Sequence, residues 1–481
     1  MIRTLTLDDI AEVTGGAVVD GPQRIGASGE ETVLSVSTDT RTIQPGALFV
    51  ALRGENFDGH HYLVEAAQKG AVAVVVEDSH HRSAAAALQK AALPHVEVVD
   101  TLHAFGDIAR YVRDAFTGPV VGITGSIGKT TTKELVAQVL ETSFSVLKSA
   151  DNFNNEIGVP QTVFLMEPGH SALVLEMGMR GPGQIQRLAE IGAPTIGIIT
   201  GIGMTHLELL GSREAIARAK GELFELLPAD GLAIYPATDE FAGGLRARFH
   251  GANSLSCAIE APADVRATGL SRHENGWRFT AGTPWGATKV FLPSPGRFNV
   301  LNALFAIAVG GSLGIPLESM ARALLRWTPP AMRLQTLTTP GGVTVLSDAY
   351  NAAPDSMIGA LETLAGMPVT TPGRRIAALG EMKELGDFAP EAHRSVGQAA
   401  ARTAPDLLLL VGPLTAHLAD AAHEAGLPTD RIQGFATSGE AAAALPGIVR
   451  AGDTLLVKGS RSLAMEQLVT ALTPATEGTV S

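Results

Sequence analysis

Gly122-Ile123-Thr124-Gly125-Ser126-Ile127-Gly128-Lys129-Thr130-Thr131-Thr132 reads as a phosphate cradle, and its flanks set the fold class. The apolar run Pro119-Val120-Val121-Gly122-Ile123 leading into it reads as a buried strand. Beyond it, Leu135, Val136, Val139 and Leu140 recur at helical spacing. A glycine-rich turn between strand and helix lets backbone N–H groups converge on phosphate oxygens at the helix N-terminus, where the dipole also favours anions. Gly125 and Gly128 supply the backbone freedom, Lys129 can reach the β- and γ-phosphates, and Thr130 can offer its hydroxyl to Mg²⁺. The full pattern G-x-x-x-x-G-K-S/T is not met, because Ile123 stands where its first glycine falls. What remains, Thr124 through Thr131 with Ile127 at the variable position, predicts ATP binding.

The 481 residues are enough for about three domains of roughly 150 residues each. Hydrophobic residues make up 45% and charged residues 18%, so large cores can be buried. With 36 Lys and Arg against 49 Asp and Glu the net charge is −13, which argues against a general nucleic-acid or anionic-membrane binder. A phosphate-bearing substrate must then meet local positive charge. The single cysteine, Cys257, excludes an intrachain disulfide and fits a reducing compartment. Without evident activating neighbours it reads as a small buried apolar residue. Met1 to Asp9 lacks the apolar core of a signal peptide, and no uncharged apolar stretch reaches about 18 residues. A cytoplasmic protein with no membrane span is expected.

Three α/β units follow from the rhythm of the chain. In residues 1–99, Ala47 to Leu52 and Ala71 to Val76 read as strands buried on both faces, with helices over Tyr62 to Lys69 and His80 to Ala92 and a further strand from His95. Residues 100–331 carry the cradle, a helix over Thr101 to Ala115, strands over Ala172 to Leu175 and Thr195 to Thr200, and short antiparallel strands around Gly282 to Gly286. That βα rhythm predicts a parallel sheet with its ligands at the carboxyl ends of the strands. Residues 332–481 show four apolar strands, Val343 to Asp348, Arg375 to Gly380, Leu407 to Gly412 and Thr454 to Gly459, alternating with helices as in a Rossmann-like sheet. Helices over Ala441 to Leu445 and Leu463 to Leu472 and a frayed tail from Thr473 close this unit.

Four further motifs bear on chemistry. Glu176, in Leu175-Glu176-Met177-Gly178, ends a buried strand; it can hold Mg²⁺ beside a triphosphate or cap a neighbouring helix. His206, after Gly201-Ile202-Gly203-Met204-Thr205, is either a structural histidine or a metal contact. Lys220 lies in an apolar-periodic helix, where it can pair with Glu222 or Glu225 at the surface. An unmodified ammonium could not ligate a cation, since unit charges about 4 Å apart interact by about 4 kcal/mol at an effective dielectric of about 20. A carbamate formed with CO₂ would reverse that sign. In the third unit, Asp348 is placed to bind a ribose hydroxyl, and Arg333, at the interdomain boundary, to contact a γ-phosphate.

Taken in order and spacing, these motifs resemble the Mur ligase family, the ATP-dependent amide-forming enzymes of peptidoglycan precursor synthesis. The resemblance covers nearly the whole chain. It implies a UDP-sugar-binding N-terminal domain, a central ATPase domain and a C-terminal Rossmann-like domain. It also implies two Mg²⁺ ions held by Thr130, Glu176, His206 and a carbamylated Lys220, and adenine-side asparagines at Asn299 and Asn302. The segments Asn152 to Pro160, Asp348 to Ala352, Leu379 to Gly386 and Leu456 to Ser462 resemble the branch that adds D-alanyl-D-alanine to UDP-N-acetylmuramoyl-tripeptide. The Asp-Asn-Pro-Arg motif of the diaminopimelate-adding branch is absent. One departure is Met332 before Arg333, where the pattern has Gly.

The resemblance implies an acyl-phosphate mechanism with Lys129, Glu176, His206, Lys220 and Arg333 as its catalytic set. Thr40, Arg41, Arg53, Asn56 and Asp58 are similar to nucleotide-sugar contacts, with Arg41 alternatively a solvated loop residue. Asn154, Asn155, Tyr350, Asn351 and Lys458 are the other expected substrate residues; Lys458 can pair with a substrate carboxylate or cap a helix. A monomer that closes its third unit over bound ATP is expected. The competing readings are a family member with another acceptor and a P-loop ATPase that makes no amide.

Overall fold

Apolar runs bounded by Gly and Asp become strands in three successive sheets. The computed structural model describes residues 1–19, 32–150, 152–273, 275–369 and 372–473. The expected tail beyond Thr473 lies outside the described residues.

The first sheet runs Ala17–Val19, His95–Val98, Ala71–Glu77, Ala47–Val50, Ser35–Ser37, and only its first pair is antiparallel. The strand expected over Ala47 to Leu52 ends at Val50. The helix expected from Tyr62 starts with a 3₁₀ turn, Gly59–Tyr62, capped by the Asp58 side chain, and becomes α only over Leu63–Gln68. The helix Thr101–Arg113 joins this unit to the next. Its Phe105 meets Phe164 with ring centroids 5.2 Å apart, inside one continuous core that takes in Val75, Leu173 and Leu188.

The central sheet has nine strands: Gly286–Leu292, Gly276–Thr283, Val265–His273, Ser254–Ile259, Leu232–Pro236, Ile196–Ile199, Val120–Thr124, Ala172–Glu176, Val146–Lys148. The expected antiparallel hairpin is present, but it is only the rim of this sheet. The strands at Val146, Leu232, Ser254 and Val265 go beyond the sequence reading; they are short or carry polar residues that blur the apolar signal. Val120–Thr124 lies parallel between Ala172–Glu176 and Ile196–Ile199, with Glu176 opposite Ile123 and Ile199 opposite Thr124. This register aligns three carboxyl ends, so the cradle, Glu176 and the Thr200–His206 loop emerge side by side.

The third sheet runs Gln335–Thr338, Thr344–Asp348, Thr454–Lys458, Arg375–Gly380, Leu407–Val411, Ile432–Phe435; its first pair is antiparallel and the rest are parallel. The two outermost strands carry no continuous apolar run, because Gln335 and Thr336 in one and Gln433 and Gly434 in the other interrupt it. The helix expected over Ala441 to Leu445 extends over Ser438–Ile448, with Thr437 as its cap. The last helix is confined to Glu466–Leu472, because Ala464 takes a left-handed backbone, φ +52°, after a 3₁₀ turn. Cys257 is a buried free thiol, raised well above its usual pKa by desolvation.

Candidate active site

The cradle tolerates only glycine at its two hinge positions. Gly125 has φ +147° and a Cβ there would meet Thr200 Oγ1 at 1.9 Å; Gly128 has φ +88° and would meet Asn302 Oδ1 at 2.8 Å. Ser126 N–H donates to the Gly201 carbonyl at 2.9 Å, and the Thr200 hydroxyl donates to the Ile127 carbonyl at 2.5 Å, so the neighbouring strand end fixes the loop. Gly128 begins the helix Lys129–Leu140 without any side-chain cap, leaving first-turn N–H groups available to an anion. Lys129 Nζ folds back onto the Gly125 carbonyl at 2.7 Å. Burial pushes this ammonium below the usual lysine range, against the pull of the Glu176 carboxylate.

Glu176 is buried and half satisfied. Its Oε1 accepts from Asn154 Nδ2 at 2.9 Å, while Oε2 has no partner among the described residues. A buried carboxylate oxygen without a donor is costly and is the kind of group a cation satisfies. His206 has φ +64°, and its Nδ1 lies 3.0 Å from Glu384 Oε2 of the third unit. The contact is off the ring N–H axis, an electrostatic approach rather than an aligned hydrogen bond.

Lys220 is 1% exposed on the helix Arg213–Glu225. The surface ion pair with Glu222 or Glu225 does not form, because both acids are engaged elsewhere. Glu222 accepts the N–H groups of Gly183 and Gln186 at 2.8 and 3.0 Å, capping the helix Gln184–Gly192, and Glu225 pairs with Arg248 at 2.6 Å. Desolvation, reinforced by Lys129, drives the Lys220 pKa well below its usual value. Among the described residues no three His, Cys, Asp or Glu side chains converge.

From the third unit, the Arg333 guanidinium stacks 4.1 Å above the Tyr350 ring. Met332 and Leu334 flank it with φ +57° and +53°, where a side chain costs roughly 1–2 kcal/mol, so the glycine that the resemblance implies at 332 would relieve strain that Met332 carries. Tyr350 N–H to the Met332 carbonyl, 3.2 Å, and Leu334 N–H to Asp348 Oδ1, 3.1 Å, hold the strained turn. Lys458 is buried and donates to Asp348 Oδ2 at 2.6 Å and to the Asn351 carbonyl at 2.9 Å. Its cation thus serves an internal ion pair, and it caps no helix.

A cavity of about 610 Å³ is lined by Ile127 to Thr131, Asn154, Asn155, Glu176, His206, Asn299, Arg333, Asp348, Tyr350, Asn351, Glu384 and Lys458. Ser126, Ile127 and Gly128 also border a neighbouring cavity of about 750 Å³, which reaches Trp277, Phe298, Asn302 and Asp355. The two asparagines expected beside adenine form a buried amide chain: Thr132 Oγ1 to Asn302 Oδ1, 3.2 Å; Asn302 Nδ2 to Asn299 Oδ1, 2.9 Å; Asn299 Nδ2 to Ser294 Oγ, 2.7 Å. The chain ties the helix Asn299–Ser312 to the cradle helix. Asn155 Oδ1 accepts two N–H groups at the start of the helix Gly158–Phe164.

The five expected residues of the first unit do not line the cavity at Lys129. Thr40 donates to Glu65 at 3.0 Å. Arg41 is exposed and forks onto Asp39, whose hydrogen bonds from Arg41 hold its carboxyl at about 2. Arg53 and Asn56 lie exposed around the two-stranded hairpin Arg53–Gly54/Phe57–Asp58. Asp58 binds the His60 ring at 2.6 Å, and His60 Nε2 accepts from Glu77 N–H at 3.0 Å. Sequence reasoning gave no role to Glu384 or Thr200. Thr200 directly follows the strand Ile196–Ile199 and Glu384 lies in the loop after Arg375–Gly380, and a place beyond the carboxyl end of a strand is the one signal that could have found them.

Residues 32–113, 123–310 and 332–461 match family models described as Mur ligase family, catalytic domain, Mur ligase middle domain, and Mur ligase, glutamate ligase domain. A UDP-N-acetylmuramoyl-tripeptide--D-alanyl-D-alanine ligase of Synechocystis sp. is 38% identical over 443 residues, 91% of each chain. The ligase of that name from Bacillus subtilis is 34% identical, covering 96% of this chain and 97% of its own. Among solved structures, MurF from Acinetobacter baumannii is similar with a TM-score of 0.87 at 28% identity, over 98% of this chain and 99% of that one. The MurF ligase of Thermotoga maritima in complex with ADP is similar with a TM-score of 0.78 at 25% identity, over 92% and 97%.

Proposed function

The chain belongs to the Mur ligase family, and from that premise we propose that it joins D-alanyl-D-alanine to UDP-N-acetylmuramoyl-tripeptide, converting ATP to ADP and phosphate in peptidoglycan precursor synthesis. The observation that carries this reading is that ligases of that name align with this chain over nearly its full length.

The substrate carboxylate attacks the γ-phosphorus, the bond to the β-phosphate oxygen breaks, and ADP leaves. The amine of the dipeptide then attacks the acyl carbon, expels phosphate and loses a proton, leaving the amide. The first step is chiefly positioning and charge neutralisation. Amides from Gly125 to Thr130 cradle the phosphates, and Lys129 exchanges the Gly125 carbonyl for a phosphate oxygen. Arg333, held flat by Tyr350, brings positive charge from the third unit.

Thr130 and Glu176 would hold one Mg²⁺, with His206 and a carbamylated Lys220 holding a second; the unpartnered Glu176 oxygen fits such a role. Bound Mg²⁺ would neutralise charge on the phosphate oxygens. Burial favours the neutral Lys220 amine, the form that adds CO₂: an N–C bond forms as one C=O π bond opens, one proton goes to water, and the neutral amine becomes an anionic carbamate. Thr40, Arg41, Arg53, Asn56 and Asp58 would meet the nucleotide sugar, and Asn154, Asn155, Tyr350 and Asn351 the peptide end, with Lys458 bracing Asp348 beneath them. Asn302, with Asn299, backs the cradle at Gly128, and Asp348 faces the ribose. The protein acts as a cytoplasmic monomer in this reading; no described helix is long and apolar enough to cross a membrane.

The test is phosphate release from MgATP with the nucleotide tripeptide, with and without D-alanyl-D-alanine. Release that requires both, with the pentapeptide seen by mass, is expected. Release without the dipeptide, or with another amine only, would overturn the acceptor assignment.

A further inference from the structure

The contact between His206 and Glu384 crosses from the central unit to the third, and both residues hold left-handed backbones, φ +64° and +63°. Non-glycine residues in that region are strained and persist only where the surroundings over-determine them. The loop bearing Glu384 is held on several sides. Met382 N–H donates to His393 Nε2 at 3.1 Å, and the fully buried His393 ring donates from Nδ1 to the Ala389 carbonyl at 2.7 Å. Lys383 N–H donates to Ser460 Oγ at 2.9 Å, and Ser460 N–H to the Glu381 carbonyl at 3.1 Å.

A second contact lies beside the first. Gly386 has φ +51°, and a Cβ there would lie 2.9 Å from Glu208 Cγ in the helix Leu207–Leu210. The third unit thus reaches the His206 loop twice, once with a charge and once with bare backbone.

We infer that Glu384 is a positioning residue, which orients the His206 imidazole through Nδ1 only when the third unit is docked, so that docking and completion of the site are one event. This rests on the ligase reading for its consequence, because His206, which lines the cavity, is there a cation contact. A carboxylate on the far nitrogen fixes ring orientation in such sites, and its loss costs about 10- to 100-fold in affinity or activity. The coupling itself is independent of that reading.

Hydrogen exchange on the full-length chain, without nucleotide or metal, tests the coupling. Glu384→Ala should speed exchange in residues 201–206 about 2- to 5-fold, the range carried by an ion pair of this exposure. Gly386→Ala, which disturbs docking without removing a polar group, should do the same. Exchange faster only in residues 381–386 would overturn the inference. In turnover, Glu384→Ala should lower kcat about 10- to 100-fold with little change in the nucleotide-sugar KM, and Glu384→Asp, which keeps the charge, should retain more. Equal loss in both variants would also overturn it. Loosening of residues 201–206 in a chain that fails the phosphate-release test would leave the coupling standing and remove the ligase reading alone.

Discussion

Asp348 and Lys458 stand opposite each other in register on adjacent parallel strands, and their side chains meet at 2.6 Å in the floor of the cavity. The pair also braces the Arg333 turn, since Asp348 Oδ1 accepts from Leu334 N–H. Removing one member of a buried pair leaves the other uncompensated, at about 3–5 kcal/mol. Lys458→Ala should lower the midpoint of thermal unfolding by about 6–20 °C at roughly 2–4 °C per kcal/mol. Calorimetry checks this, and an unchanged midpoint would remove the bracing role.

Glu176→Gln separates stability from function. The substitution removes a buried, half-satisfied charge, so the ligand-free protein should melt at the same temperature or higher. The stabilisation given by MgATP should shrink sharply in the same variant. Thermal shift with and without MgATP reads both, and equal ligand stabilisation in wild type and variant would count against a cation at Glu176.

Lys220→Ala should lower turnover by more than about 100-fold, above the range for outer-shell partners. A short-chain carboxylate such as propionate, filling the vacated space with a negative charge, should restore part of it. Wild-type rates in the variant would sink the carbamate.

Asp453 governs acid stability. Desolvation tends to raise its pKa, but hydrogen bonds from Arg374 and from the Arg450 and Arg374 backbone outweigh it, and the net shift is downward. A depressed carboxyl stabilises the fold above its unfolded value of about 3.9, and that stability is lost as pH falls through the lower folded value. Urea unfolding should find wild type more stable than Asp453→Asn from about pH 5 upward, with the gap closing below about pH 4. A gap that does not vary between pH 3 and 7 would assign the effect to hydrogen bonding alone.

The order of strands and helices around the cradle was legible because apolar runs and glycine spacing are local. The strands at Gln335 and Ile432 were not, since polar residues and Gly434 break their apolar runs. Glu176 and Lys220 stood out by position in the sequence. That Glu222 caps another helix and so cannot pair with Lys220 was invisible there.

The sequence by itself determined the phosphate cradle and the family, because eight contiguous residues set the backbone that meets a phosphate and nearly the whole chain carries the motifs. Only the tertiary structure decided which charges remain available. Lys458 is neutralised by Asp348, Glu176 keeps one oxygen unpartnered, and Glu384 crosses a domain boundary to His206. Each depends on which distant strand end the topology places alongside, and burial then makes the local charge balance decisive.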